Sequence, residues 1–331
     1  MLQKKRAFFK FLFQILILFF YKINFKLFAS SARTKILTHP IFLNHIISSE
    51  HPERPERIKF ILDYIKKYEL GDLLEIVETD RLVEKWIKKI HSDNHIKSLK
   101  KNNPIAEKVS RYAVKVCLTG VDKILRDETK SIFCAVRPPG HHALNTGKEE
   151  GFCYYNHIAI TAEYLKKKYK FKKILIVDWD YHHGNSTEFF FYDDPSVLFF
   201  STHDFNAYPG TGHPSKKGKG LGLGFNINVH LPCRTNDEQI LKVFNEVLIP
   251  KTDKFKPDFI LISAGFDSRL NDLLGCYDIS DNGFKELTKI ITKIAAKHCD
   301  NRILSILEGG YNLDGNASAV IAHISELNNL N

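Results

Sequence analysis

The chain has no acidic residue before Glu50, no cysteine pair in C-x-x-C spacing, no apolar run of bilayer-spanning length and no internal repeat. Each absence excludes something. With only 12 Pro and 18 Gly in 331 residues, 44% apolar side chains and 26% charged ones, collagen-like, low-complexity and wholly disordered architectures are out. Cys117, Cys134, Cys153, Cys233, Cys276 and Cys299 stand singly. In a chain long enough to bury a full core they predict reduced thiols of a cytoplasmic protein, neither a disulfide framework nor a structural zinc site.

The missing early acids also explain the charge. The formal net charge is +10, but eight Lys and Arg residues precede Glu50, and the 282 residues from Glu50 onward carry 40 basic against 38 acidic side chains. A body this close to neutral offers no electrostatic footprint for nucleic acid, so no direct nucleic-acid binding is expected.

Residues 1–35 read as a basic, apolar leader and residues 36–331 as a single domain, since no Pro/Gly/Ser linker divides the latter. Lys4-Lys5-Arg6 precedes an almost unbroken apolar run from Phe11 to Tyr21, shorter than the ~20 residues of a spanning helix. Widening the window to residues 7–28 admits Lys10, Gln14, Lys22, Asn24 and Lys26. Four readings stay open: a dispensable extension, membrane contact through residues 7–28, a signal cleaved near Ala29-Ser30-Ser31-Ala32, or an organelle transit peptide.

From Ile58 onward, short apolar runs alternate with amphipathic stretches. The runs Ser131–Val136, Lys173–Val177, Val197–Ser201, Phe225–Val229, Phe259–Ser263 and Ile303–Leu307 read as buried strands. Ala106–Arg126, His157–Lys168, Glu238–Thr252 and Ile279–His298 read as helices. This alternation predicts an α/β domain with a mostly parallel central sheet and helices on both faces. The glycine-rich, basic loop Ala207–Gly224 is either an active-site rim or a solvated surface loop.

Parallel sheets bind ligands beyond the carboxyl ends of their strands. There the sequence offers His141-His142, then Asp178-Trp179-Asp180-Tyr181-His182-His183-Gly184-Asn185, then Asp267, then Glu308-Gly309-Gly310-Tyr311. If the chain stays extended after Asp178, the period of two places Asp178, Asp180 and His182 on one side. Two carboxylates and one imidazole, with Asp267 supplying one of them, suit a catalytic Zn²⁺, or Fe²⁺ or Co²⁺ in its place. Water on such an ion still needs a base, which His141-His142 supplies, with Asp178 and Asn185 as partners of opposite electrostatic effect. Any one of these residues alone would be an ordinary surface or core side chain; the coincidence of the set is what points to a metal site. Tyr311 taken singly would be a core aromatic, but Gly309-Gly310 beside it permit close approach of a ligand.

Arg137-Pro-Pro-Gly-His-His-Ala143, Gly151-Phe-Cys-Tyr-Tyr-Asn156, Asp178 to Asn185, Tyr208-Pro-Gly-Thr-Gly212, Ser263-Ala-Gly-Phe-Asp267 and Glu308-Gly-Gly-Tyr-Asn312, with His51-Pro-Glu-Arg-Pro-Glu-Arg57 before them, resemble the zinc-dependent histone deacetylase family. Asn185 and Ala-Gly-Phe-Asp look like its class II and bacterial amidohydrolase branch. The resemblance implies an arginase/deacetylase-like fold. It also implies zinc ligands Asp180, His182 and Asp267, His142 as general base and acid, His141 as electrostatic partner, and Tyr311 as donor to the oxyanion. Phe152 and Tyr208 would wall a narrow tunnel and Gly151 would offer its carbonyl at the floor. A structural K⁺ would sit at Asp178 and Ser201 with carbonyls of Asp180, His182 and Thr202; a second would lie near Phe191, Asp194, Val197 and Phe225.

The implied substrate is an acetylated lysine of a protein or peptide, or a small acylated amine. Leu274 stands where polyamine-specific relatives carry a glutamate, which disfavours acetylpolyamines. Asp93 is the nearest candidate for a substrate-gripping rim carboxylate. An arginase-like dinuclear manganese site would need more aspartates than Asp267 and Asp272 supply, and an idle scaffold would be expected to lose a ligand or the tyrosine.

Overall fold

The computed structural model describes residues 33–329. The leader expected over residues 1–35 therefore falls almost entirely outside the described residues. Among those described, no helix is long and apolar enough to cross a membrane.

Eight strands form one sheet: β1 Lys35–Thr38, β2 Leu74–Ile76, β3 Ser131–Cys134, β4 Ile174–Asp178, β5 Val197–His203, β6 Asn226–His230, β7 Phe259–Ala264 and β8 Ile303–Leu307. The order is β2-β1-β3-β8-β7-β4-β5-β6, and every pairing is parallel. Six of these strands follow the apolar runs, with ends shifted by no more than two residues. β1 and β2 were not anticipated: both are short, and β2 is partly exposed, so neither carries a long apolar signal.

β3, β4, β7 and β8 are buried at every position. Helices Pro104–Leu125 and His157–Lys168 pack together, while Asp281–His298 packs on Leu313–Leu327 and the latter on Glu56–Lys67. Strands sealed on both faces require one such group on each side, and the apolar side chains merge into one core. Local chemistry sets the helix ends. Asn156 accepts a hydrogen bond from the Ala159 amide at 2.8 Å and opens the helix His157–Lys168; Ser280 caps Asp281–His298 in the same way. The expected helix Glu238–Thr252 is Asp237–Val243 and Ile249–Phe255 joined by a π turn over Phe244–Leu248. Pro250 has no N–H to give the preceding turn, and the ladder widens just before it, with Ile249 N donating to Phe244 O.

One expectation about cysteine is corrected. Cys117, Cys134, Cys153 and Cys299 are free and buried, but Cys233 and Cys276 form a disulfide across 43 residues. The segments carrying them are drawn together by Arg234 N donating to Cys276 O at 2.7 Å and by a bridge between Asn236 and Asp278. Spacing alone could not reveal that meeting.

β3 and β4 are consecutive in the chain yet separated in the sheet by β8 and β7. The crossover opens a crevice at the carboxyl ends, and the candidate residues gather there.

Candidate metal centre and active site

β4 ends at Asp178, so the extended continuation expected over Asp178–His182 is not formed. The chain bends instead. Asp178 Oδ1 accepts from Asp180 N at 3.1 Å, and Asp180 Oδ1 accepts from His182 N at 2.8 Å. These turns still aim Asp180 and His182 at Asp267 from the end of β7, and the three ligand atoms lie within 4.8 Å of one another. Asp178 turns to the other side and meets His141.

His182 Nδ1 lies 3.2 Å from Asp180 Oδ1 and 3.0 Å from Asp267 Oδ2. Burial opposes charge on this imidazole, but its hydrogen bonds and attraction to the two carboxylates push its pKa up to about 10. Burial and the neighbouring Asp180 charge raise Asp267 to about 7, whereas attraction to His141 and His182 outweighs burial at Asp180 and lowers it. The carboxylates thus favour positive charge at this point, whether a proton or a cation supplies it. The donor set, two carboxylates and an imidazole without thiolate, fits a catalytic divalent cation. Gly309 donates its N–H to Asp180 Oδ2 at 2.9 Å, and a Cβ there would collide with Asp267. Only glycine lets the chain pass so close.

The tandem histidines face different partners. His141 Nδ1 is 3.0 Å from Asp178 Oδ2, and His142 Nδ1 is 2.7 Å from Asn185 Oδ1. An amide oxygen can only accept, so His142 Nδ1 carries the proton and its Nε2 is left with a free lone pair. Burial opposes charge on His141, yet Asp180 and Asp178 hold its pKa well above the usual value. Burial, aided by repulsion from His141 and His182, holds His142 well below it. Two adjacent imidazoles are thereby driven apart in protonation.

In front of these groups lies a cavity of about 530 Å³ lined by His142, Gly151, Phe152, His182, Tyr208, Leu274 and Tyr311, together with Glu149, Tyr181 and Ala207. Gly151 is in the left-handed region, and a Cβ there would collide with the His142 ring. The Phe152 ring meets the Tyr311 ring edge-on at 5.9 Å, and Tyr208 meets His142 at 5.0 Å. Burial raises the Tyr311 phenol well above its usual pKa, so it remains a donor. Ser201 pairs in register with Asp178 across β4 and β5, and its hydroxyl lies 2.9 Å from His203 Nδ1; the buried Thr202 hydroxyl has no hydrogen-bond partner among the described residues.

Several contributors were missed. Glu308 Oε2 accepts from Gly140 N at 2.6 Å and His141 N at 3.2 Å, fixing the turn that presents the histidines. Burial lifts its pKa to about 7. Its position at the end of β8 was the available signal. Arg137 makes a two-pronged pair with buried Glu53 at 2.8 and 2.6 Å, while Arg57 donates to Gly310 O at 2.7 Å and stacks on Tyr311. Asp272 accepts from Tyr311 N at 2.7 Å and Asn312 N at 3.0 Å. It therefore braces the tyrosine loop and does not join the metal group, as a dinuclear site would need. Asp93 pairs with Lys88 at 2.8 Å and does not line the cavity.

An eight-stranded parallel sheet ending in the triad Asp180, His182 and Asp267, with tandem histidines and a tyrosine at a cavity, has the architecture of the arginase/deacetylase fold. Residues 51–327 match the histone deacetylase domain. A probable deacetylase of Archaeoglobus fulgidus is 34% identical over 85% of this chain and 82% of its own length. Histone deacetylase 10, chloroplastic, of Oryza sativa subsp. japonica is 35% identical over 82% of this chain and 68% of its own. The crystal structure of the HDA15 HD domain superimposes with a TM-score of 0.83 at 30% identity, covering 90% of this chain and 88% of that one. The chain belongs to the histone deacetylase family.

Proposed function

We propose that the protein is a zinc-dependent hydrolase that removes acetyl or related acyl groups from lysine side chains of proteins or peptides, or from related amines. The observation that carries this reading is the convergence of Asp180, His182 and Asp267 within 4.8 Å of one another beside a cavity lined by His182, Phe152 and Tyr208. Read as a tunnel walled by Phe152 and Tyr208, that cavity would take a long aliphatic arm and deliver its amide to the triad.

Zn²⁺ held by Asp180, His182 and Asp267 would polarise the amide carbonyl and acidify a water. His142, neutral and with Nε2 unprotonated, takes the water's proton and later returns it to the leaving amine. Its Nδ1–H stays on Asn185, which orients the ring without the proton affinity a carboxylate would add. His141, kept cationic by Asp178 and Asp180, contributes fixed positive charge. Tyr311 donates its hydroxyl to the carbonyl oxygen as negative charge develops there. The products are a carboxylic acid and a free amine. A K⁺ ion at Asp178 and Ser201, with carbonyls of Asp180, His182 and Thr202, would complete the floor; the register pairing of the two side chains supports it.

Purified protein loaded with zinc is expected to deacetylate an acetyl-lysine peptide, to stop on chelation and to recover on zinc return. A zinc-loaded protein that leaves both acetyl-lysine peptide and acetylspermidine intact would sink the reading. The catalytic unit is residues 36–331, and residues 1–35 are a leader for targeting or anchoring, or a dispensable extension; full-length and truncated protein partitioning alike between membrane, organelle and soluble fractions would leave the dispensable extension.

A further inference from the structure

Because every strand is parallel, the carboxyl ends make the crevice and the amino ends lie together on the opposite edge of the sheet. Helices that precede a strand by a short loop finish at that amino edge: Pro104–Leu125 before β3, His157–Lys168 before β4, Ile249–Phe255 before β7 and Asp281–His298 before β8. Their last turns carry Lys123, Lys166 to Lys168, Lys254, and Lys297 with His298, the charge that a helix C-terminus favours. Past the end of His157–Lys168 the chain adds Lys170, Lys172 and Lys173, which serve no helix end. Lys167, Lys170, Lys172, Lys173 and Lys256 are exposed and make no salt bridge among the described residues. By contrast, Lys130 is paired with Asp127 and Asp300, Lys166 with Glu163 and Asp194, and Lys168 with Asp122. Asp258 lies beside the unpaired group, but its Oδ2 already accepts the N–H groups of Lys172 and Lys173 at 3.1 and 3.0 Å. Arg302 adds its guanidinium there, donating to Asp258 O at 3.2 Å and lying over the Phe171 ring. Lys35 opens β1 at the same edge, so residues 1–32, with Lys4-Lys5-Arg6 and the apolar run Phe11 to Tyr21, join the described chain here.

From this placement we infer that the amino edge of the sheet docks on an anionic phospholipid surface, with the crevice facing away from it. The partner is read from charge and position. Unpaired lysines attract negative headgroups, each one near such a surface strengthening attachment roughly fivefold. The apolar run of the leader is shorter than a spanning helix, and one short apolar insertion holds a protein only weakly; a basic surface at the same edge supplies the second signal. Duplex nucleic acid would also meet the lysines, but an apolar run has nothing to offer a polyphosphate. The inference does not depend on amide hydrolysis, since it concerns the end of the sheet opposite the metal triad.

Full-length protein is sedimented with vesicles of phosphatidylcholine and phosphatidylserine in equal parts, and with vesicles of phosphatidylcholine alone. One variant changes Lys167, Lys170, Lys172 and Lys173 together to Gln; a control changes Lys59, Lys97, Lys108 and Lys285, exposed lysines near the starts of their helices. The patch variant is expected to bind the anionic vesicles at least about tenfold more weakly than wild type, and the control less than about threefold more weakly. Wild-type binding should also fall between about 0.01 M and about 1 M salt, as the Debye length drops from roughly 30 Å to roughly 3 Å. A water-soluble amine-reactive reagent should label Lys170, Lys172 and Lys173 less in vesicle-bound than in free wild type, and label the exposed Lys148, next to Glu149 of the cavity lining, equally in both. That labelling needs no substitution, so it decides the matter even where a variant misfolds. Unchanged binding by the patch variant, equal losses in both variants, or protection of Lys148 in place of the patch overturns the inference. Wild-type preference for a duplex oligonucleotide over the vesicles overturns it as well. Each of these failures leaves the deacetylase reading standing, because hydrolysis tests that separately.

Discussion

Asp178, Asp180, Asp267 and Glu308, beneath the residues that form the floor of the cavity, are fully buried, and each accepts hydrogen bonds from more than one neighbour. At the mouth, Tyr208 is 49% and Leu274 40% exposed. A buried charge is tolerable only when its partners are in place, so a change at the floor leaves an unpaired group behind and is costly. A change at the mouth leaves water in its stead. On the proposed reading the floor sets which reaction is possible, and the mouth sets which substrate arrives.

That contrast is broken most easily at the largest expected effect. His142→Ala should lower kcat on the order of 10²- to 10⁴-fold with zinc content retained, and Tyr311→Phe roughly 10²- to 10³-fold. Metal analysis beside steady-state kinetics checks both; near-normal turnover in either would show that the floor does not carry the chemistry. Asp178→Asn, one step behind the ligands, should cost about 10- to 100-fold in activity or zinc affinity, read by titration with a competing chelator.

A sharper test uses the two histidine partners. In the proposed role His142 acts when neutral; burial, with repulsion from the neighbouring His141, depresses its pKa, so kcat/KM should hold as pH falls until below 6.5. Asn185→Asp puts a negative charge where an amide oxygen sits 2.7 Å from Nδ1. That favours the protonated ring, raises its pKa and moves the acid limb of the pH profile upward. An unmoved or downward-shifted limb contradicts the assignment of His142 as base. The smallest effect belongs to the mouth: Leu274→Ala should change kcat/KM by less than about fivefold, because apolar burial at a half-exposed rim contributes roughly 1 kcal/mol or less. A loss comparable to that of Tyr311→Phe would dissolve the distinction between floor and mouth.

The sequence by itself determined the interior strands and the chemistry at their ends. Strands sealed on both faces must be continuous apolar runs, so β3, β4, β5, β7 and β8 are legible, while the edge strand β6 alternates Asn226 and Asn228 with apolar residues; the polar residues that follow the interior runs have to face the crevice. Asp180, His182, Asp267, His141, His142, Asn185 and Tyr311 were all named this way. What the tertiary structure alone decided depends on contacts between segments far apart in the chain. β1 and β2 are too short to announce themselves, and the bend after Asp178 replaces extended geometry because carboxylate-to-amide hydrogen bonds compete with the strand. Asp272 and Glu308 became braces only once the loops they hold were folded against them. Cys233 met Cys276 through backbone pairing that no spacing encodes. Local pattern reports burial, which repeats along the chain; it does not report which distant amide or ring a lone polar side chain will meet.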